Sequence, residues 1–242
     1  MTSRIFLVGT DTGCGKTSVA AALLRCARGH GLRAIPFKPA ASGGDDPEVL
    51  AHAAALLPAM LARICPHRYA APLAPGVADD PRRFAGPSIP PADPAPLEEA
   101  CAALDDLEAE LRPDLTIIEG AGGWWTPMPG GTWQPTWVKA LRGLPVIVGR
   151  TALGTINHTL LTLDGVRAAG HRPPGFFLSR TTAAADPSEA QNPGVIAAAC
   201  DLPCLGILPF GHNGRGWLSG QIFEHLRVRA AARAPTPAGA SR

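Results

Sequence analysis

Gly9-Thr10-Asp11-Thr12-Gly13-Cys14-Gly15-Lys16-Thr17 stands between the apolar run Ile5-Phe6-Leu7-Val8 and the helix-like Thr17-Ser18-Val19-Ala20-Ala21-Ala22-Leu23-Leu24-Arg25. Strand, glycine-rich loop and helix in that order make the phosphate cradle written G-x-x-x-x-G-K-[ST]. Glycines let successive backbone N–H groups converge on phosphate oxygens, and the helix that follows presents its positive end to them. Lys16 would bridge the β and γ phosphates, and Thr17 would offer its hydroxyl to Mg2+. A glycine-rich turn that happens to hold a lysine is the plain alternative, and the order of the flanking elements argues against it.

The second apolar run, Leu32 to Phe37, reads as a short strand ending in a polar loop that carries Lys38 and Ser42. In an open parallel sheet, ligands sit beyond the carboxyl ends of the strands, so both residues are expected beside the phosphate loop. Asp45 and Asp46 precede Pro47 and a helical run through Leu61, which puts a carboxylate at the helix start, as a cap or as a metal ligand. Leu115-Thr116-Ile117-Ile118-Glu119 is a buried strand ending in a carboxylate, followed by Gly120-Ala121-Gly122-Gly123. An acidic residue at the end of an apolar strand, in a chain with a phosphate loop, is the arrangement that positions Mg2+.

Between these landmarks the chain alternates. Prolines at nine positions from 66 to 96 exclude a continuous helix or central strand over Cys65–Leu97 and predict an extended excursion. Leu97 to Leu111 has helical apolar spacing and an acidic face expected to be solvated. Leu144–Val148, Pro174–Leu178 and Cys204–Leu208 read as further strands, the middle one ending at Ser179. Thr155 and Asn157 are expected to cap a helix from Thr159 to Ala169, another N-terminus suited to an anion. Gly211 to Gly220 reads as a loop on the ligand edge, and Ile222 to about Ala232 as a last helix. The predicted fold class is therefore α/β, a P-loop NTPase-type domain over residues 1–233, mainly a parallel sheet with helices on both faces. Residues 234–242 have the composition of a frayed tail.

With 242 residues, 17% charged residues and a net charge of +2, the chain has no electrostatic footprint for nucleic acid or an anionic membrane. No stretch approaches the ~18 apolar residues that span a bilayer. Six cysteines without C-x-x-C spacing read as free thiols in a reducing cytoplasm. Trp124, Trp125, Trp133 and Trp137 cluster in a chain with 5% aromatic residues, which predicts a pocket wall or a subunit contact.

Taken with Phe37–Gly43, Cys65–Pro75, Glu119–Gly123 and Arg150–Leu163, the loop at Gly9–Thr17 makes a set that resembles the ATP-dependent dethiobiotin synthetases, in order and near their spacing, over about residues 3–210. The resemblance implies an enzyme that takes 7,8-diaminononanoate, CO2 (or bicarbonate) and MgATP to dethiobiotin, ADP and phosphate. It implies Lys16 and Lys38 as catalytic residues and Thr17, Asp46 and Glu119 as holders of Mg2+, directly or through water. Nucleotide contacts are implied at Gly13, Cys14, Gly15, Lys16, Thr17 and Ser18, at Asp46, at Glu119, Gly120, Ala121 and Gly122, and at Ser179 and Pro209. Substrate contacts are implied at Thr12, Ser42, Thr155 and Asn157, the last two in a homodimer whose substrate carboxylate reaches the other subunit.

Three departures stand out. Trp124-Trp125-Thr126-Pro127 replace small or aliphatic residues, the excursion at Asp79–Ala95 is long, and Ser179 stands where the family usually has an adenine-binding Asn. A related amidotransferase-type synthetase, a ParA/MinD-like ATPase or a nucleotide-binding regulator are the other readings. The second of these expects a lysine where this chain has Thr10.

Overall fold

The computed structural model describes residues 2–86, 88 and 90–231, so the expected tail at 234–242 and the domain end at 233 lie outside the described residues. Strand β1 (Ser3–Gly9) is the axis of the fold. Its four apolar residues, Ile5 to Val8, are fully buried, and because a strand alternates its faces they divide between two cores. Ile5 and Leu7 pack with the helices on one side, Phe6 and Val8 with those on the other.

Helix α1 (Lys16–Gly29) starts straight after Gly15, whose φ of 95° only glycine adopts readily, and lays Val19, Ala20, Leu23 and Leu24 on the sheet. Strand β2 (Ala34–Phe37) follows, and then β3 (Ala40–Ser42), which leaves the main sheet. Helix α2 spans Asp46–Ala54 and stops well short of the expected Leu61. Ala55 turns left-handed at φ 56°, and Leu57 is extended before Pro58, whose ring and missing N–H cannot continue the helix. A short α3 (Leu61–Ile64) resumes after this break.

The proline-rich excursion is built from small pieces. Strand β4 (His67–Tyr69) pairs in parallel with β3, and α4 (Pro75–Asp79) precedes a single-turn helix at Pro81–Phe84. Helix α5 (Ala95–Leu111) buries Ala100, Leu104 and Leu107. Its acidic face is not simply solvated: the Arg4 guanidinium bonds Glu108 at 2.9 and 2.8 Å and Asp105 at 2.5 Å.

Strand β5 (Leu115–Gly123) runs on through its glycines. The antiparallel pair β6 (Pro127–Met128) and β7 (Thr132–Trp133) leads into α6 (Gln134–Ala140) and β8 (Leu144–Arg150). Then come α7 (Thr155–Ala168), β9 (Phe176–Ser179), α8 (Asn192–Cys200), β10 (Cys204–Leu208) and α9 (Gly220–Ala231). Helix α7 begins four residues before the expected Thr159, its N-cap is Gly154, and neither Thr155 nor Asn157 caps it. The main sheet has the order β10-β9-β8-β1-β5-β2 with all pairs parallel. All six cysteines are free, and no described helix is long and apolar enough to cross a membrane.

The tryptophans divide. Trp137 is fully buried and donates its Nε1–H to Thr132 Oγ1 at 2.7 Å, and Trp124 is buried against Gly165, where an added methyl would meet its ring. Of the four clustered tryptophans Trp125 and Trp133 reach the surface, where they meet edge to face, with Phe84 against Trp133.

Candidate active site

Five residues, Thr10 to Cys14, separate Gly9 from Gly15, so the loop is one residue longer than the G-x-x-x-x-G-K pattern. Gly13 and Gly15 take the left-handed φ values of 71° and 95° that the tight path needs. The extra length is anchored at both edges. Beneath it the Cys14 thiol, fully buried, donates to the Val148 carbonyl at 3.2 Å, and at its rim Asp11 pairs with Arg150 at 3.0 Å. The Lys16 ammonium lies along the loop, donating to the carbonyls of Asp11 at 3.0 Å and Gly122 at 2.7 Å. A Cβ at Gly9 would strike both Lys16 and Gly122, so glycine there is a steric requirement.

Four side chains from four separate stretches meet at the end of this loop. Lys38 Nζ is 2.6 Å from Asp46 Oδ2 and 2.6 Å from Glu119 Oε1. The Thr17 hydroxyl lies 2.8 Å from Asp46 Oδ1 and 2.9 Å from Glu119 Oε1, and its one proton serves one of them at a time. Burial works against the Lys38 ammonium, yet the charges of Glu119 and Asp46 outweigh it and hold the lysine above its ordinary pKa. Burial likewise acts to raise Asp46, and the nearby Lys38 more than offsets this and leaves it below the usual carboxylate range. Asp46, and not the adjacent Asp45, is the residue in the cluster.

Glu119 Oε2 is buried and has no hydrogen-bond partner. That orphaned oxygen, the second carboxylate of Asp46 and the Thr17 hydroxyl make a hard-oxygen set that fits Mg2+. Among the described residues no group of three or more His, Cys, Asp and Glu comes together. The set therefore suits a cation that completes its shell with phosphate oxygens and water, the usual habit of magnesium.

Around the cluster opens a cavity of about 940 Å³. Thr12, Gly13, Gly15, Lys16, Thr17 and Ser18 form its floor, while Lys38, Ser42, Asp46, Glu119, Ala121 and Gly122 line one end and Ser179 and Pro209 the other. Four expected contacts fall outside it: Cys14, Gly120, Thr155 and Asn157. Gly120 turns the opposite way, against Phe6 and Gln134, because alternate residues of a strand face opposite sides. Thr155 is buried with its hydroxyl near Thr159 and Gly149, and Asn157 is exposed elsewhere on the surface. Cys14 supports the loop from beneath and does not line the cavity. The Ser42 hydroxyl does line it, and donates to the Leu73 carbonyl.

A family described as an AAA domain matches residues 3–213. The ATP-dependent dethiobiotin synthetase BioD of Anaeromyxobacter sp. (strain K) is 39% identical over 212 residues, covering 85% of this chain and 89% of its own. That of Caulobacter sp. (strain K31) is 33% identical over 95% of this chain and 96% of its own. The chain belongs to the ATP-dependent dethiobiotin synthetase family. Among solved structures, chloroplast FtsY from Physcomitrella patens is similar at a TM-score of 0.57 and 13% identity, over 97% of this chain and 66% of that one, a likeness of fold.

In this synthetase further residues line the cavity, some within stretches the sequence marks (Cys65–Pro75 and the loop at Gly211–Gly220) and others, such as Arg25 and Thr126, without such a mark. Pro72 to Pro75 form a wall that Ser42 ties down, and Thr126 adds to the same end. At the other end stand Arg25, Arg180 and Phe210 to Asn213. Gly214 lies so close to Ala22 that a Cβ there would collide with its backbone, which presses this last loop onto α1. The tryptophans do not line the cavity.

Proposed function

We propose that the cavity binds MgATP along the Gly13–Thr17 floor, with the γ-phosphate toward Lys38 and the nucleoside toward Ser179 and Pro209, and diaminononanoate at the Ser42 end. The enzyme is an ATP-dependent dethiobiotin synthetase, a ligase of biotin biosynthesis. One amine of the substrate adds to CO2 and loses a proton to give a carbamate. A carbamate oxygen attacks the γ-phosphorus, the bond to ADP breaks, and a carbamic-phosphoric anhydride forms. The second amine then attacks the anhydride carbon, phosphate leaves, and the ureido ring closes.

The chain's own groups supply positioning and charge. Lys16 and Lys38 neutralise the oxygens of the transferring phosphoryl group and the carbamate, and backbone N–H groups of the loop hold the phosphate tail. Thr17, Asp46 and Glu119 would hold Mg2+, which neutralises charge on the β and γ phosphates. The observation that carries this reading is Lys38, buried 2.6 Å from two carboxylates at the γ end of the loop. The active unit is taken to be a homodimer with Asn157 facing the neighbouring subunit's substrate. The free thiols support a cytoplasmic setting.

Coupled ADP release is expected to need diaminononanoate and bicarbonate together. Lys38→Ala and Lys16→Ala are each expected to lower turnover by about a hundred-fold or more. ADP release at the same rate without the diamine, or near-normal turnover in Lys38→Ala, would overturn the assignment.

A further inference from the structure

We infer that Lys38 and the metal ion compete for the same two carboxylates, so that this lysine sets the affinity of the metal site and couples cation binding to nucleotide binding. The inference rests on the assignment of Thr17, Asp46 and Glu119 to magnesium, and goes beyond it. Lys38 Nζ lies 2.6 Å from one oxygen of each carboxylate, and Thr17 bonds to the same Glu119 oxygen. The ammonium and Glu119 are almost wholly buried, at 4% and 1% side-chain exposure, while Asp46 is the open side at 40%. Water can screen little of the repulsion between an ammonium and a second cation here.

Magnesium holds its ligands at about 2.0–2.1 Å in strict octahedral geometry. A cation that takes Asp46 Oδ2 or Glu119 Oε1 at that distance displaces the ammonium from that oxygen, and one that takes Asp46 Oδ1 and Glu119 Oε2 sets a second positive charge beside the buried ammonium. The ammonium has three donors and needs acceptors wherever it goes. Phosphate oxygens over the Gly13–Thr17 floor are the acceptors within the cavity that a nucleoside triphosphate brings with it. A free cation therefore costs the buried lysine an acceptor or crowds its charge, whereas a cation arriving with a triphosphate hands it a new partner. Cation and nucleotide then favour each other's binding, by an amount that resides in Lys38.

The test uses Mn2+ as the probe, titrated against the full-length enzyme by electron paramagnetic resonance, with and without a non-hydrolysable triphosphate. The non-hydrolysable nucleotide is expected to tighten Mn2+ binding to the wild type by about ten-fold or more. K38M is expected to bind Mn2+ alone about ten-fold or more tightly than the wild type does, and to gain far less from the nucleotide. If K38M needs a cation to fold, recovery of its far-ultraviolet circular dichroism on adding Mn2+ alone is the supporting result, and no recovery the overturning one. Equal Mn2+ affinity in folded K38M and wild type overturns the competition, and would mean that the cation uses Glu119 Oε2 while the lysine stays in place. E119Q separates the two layers: if it binds Mn2+ as tightly as the wild type, the metal assignment itself has failed.

Discussion

Ser179 is 2% exposed and lies against Gly15, where even one added methyl would strike it, so the strand end and the phosphate loop are packed in direct contact. Its neighbour Arg180 also lines the cavity, with Nε 3.3 Å from Glu189, whose other oxygen accepts from the Thr151 hydroxyl at 2.7 Å. A serine hydroxyl makes fewer contacts with a base edge than an asparagine amide, and a guanidinium offers donors alone, which suit bases with carbonyl acceptors. Base choice is therefore expected to be broad: kcat/KM for GTP or CTP within about a hundred-fold of that for ATP, and Ser179→Asn restoring the preference for ATP. A thousand-fold preference for ATP in the wild type would show that the base is read elsewhere. The residues legible in the sequence are Lys16 and Thr17, which close the glycine-rich loop, and Lys38 and Glu119, which end apolar runs and whose position at a strand end already fixes the edge they occupy. Gly120, by its parity relative to Glu119, faces away from the cavity. Arg180 and Glu189 gave no signal, because their meeting depends on how a loop of irregular backbone folds back.

Among the elements, the excursion between α3 and α5 shows how prolines can forbid regular structure and still leave a fixed shape. The Tyr69 hydroxyl donates to Asp79 at 2.8 Å, the Gly130 N–H donates to the same carboxylate at 3.0 Å, and the Asp93 N–H reaches the Gly130 carbonyl at 2.8 Å. Gly76 lets α4 rest directly on the backbone of Met128, since a Cβ there would sit 2.5–2.9 Å from three of its backbone atoms. Gly76→Ala is accordingly expected to push α4 and the Pro72–Pro75 wall outward. It should cost about 1–3 kcal/mol of stability, read from urea unfolding, and raise the KM for the diamine more than the affinity for nucleotide changes. An unchanged unfolding midpoint would show that the contact yields freely. The contacts that fix this excursion include a hydrogen bond between residues 51 positions apart, so local patterning could exclude a helix and could not supply the path. The same limit explains the tryptophans: clustering in sequence did not reveal that β5, the β6–β7 turn and α6 send Trp124 and Trp137 into the core and leave Trp125 and Trp133 outside.

At the scale of the whole molecule, the parallel sheet collects the residues that matter at one edge, and what lies off that edge bears on assembly. The strand order was not readable from the sequence, because every strand is a short apolar run and their neighbours are chosen by packing between helices. Helix α7 leaves the cavity side with its N-terminal segment on the surface, and there Asn157 is bracketed by Leu153 at 81% exposure and Leu161 at 62%. Asn157 and Leu161 are one turn apart and share a face of the helix. Two such exposed leucines beside a polar residue assigned to substrate suit a contact between subunits, in which the apolar side chains are covered and the amide is carried toward the neighbouring cavity. Sedimentation at micromolar concentration is expected to give a dimer. A Leu153→Asp, Leu161→Asp double variant is expected to sediment as a monomer, with the KM for diaminononanoate raised by about ten-fold and nucleotide affinity within about two-fold of wild type, because charges placed at the core of an interface oppose its burial. A double variant that remains dimeric would move the interface to another face, and a monomeric variant with an unchanged KM would show that each cavity is complete within one chain.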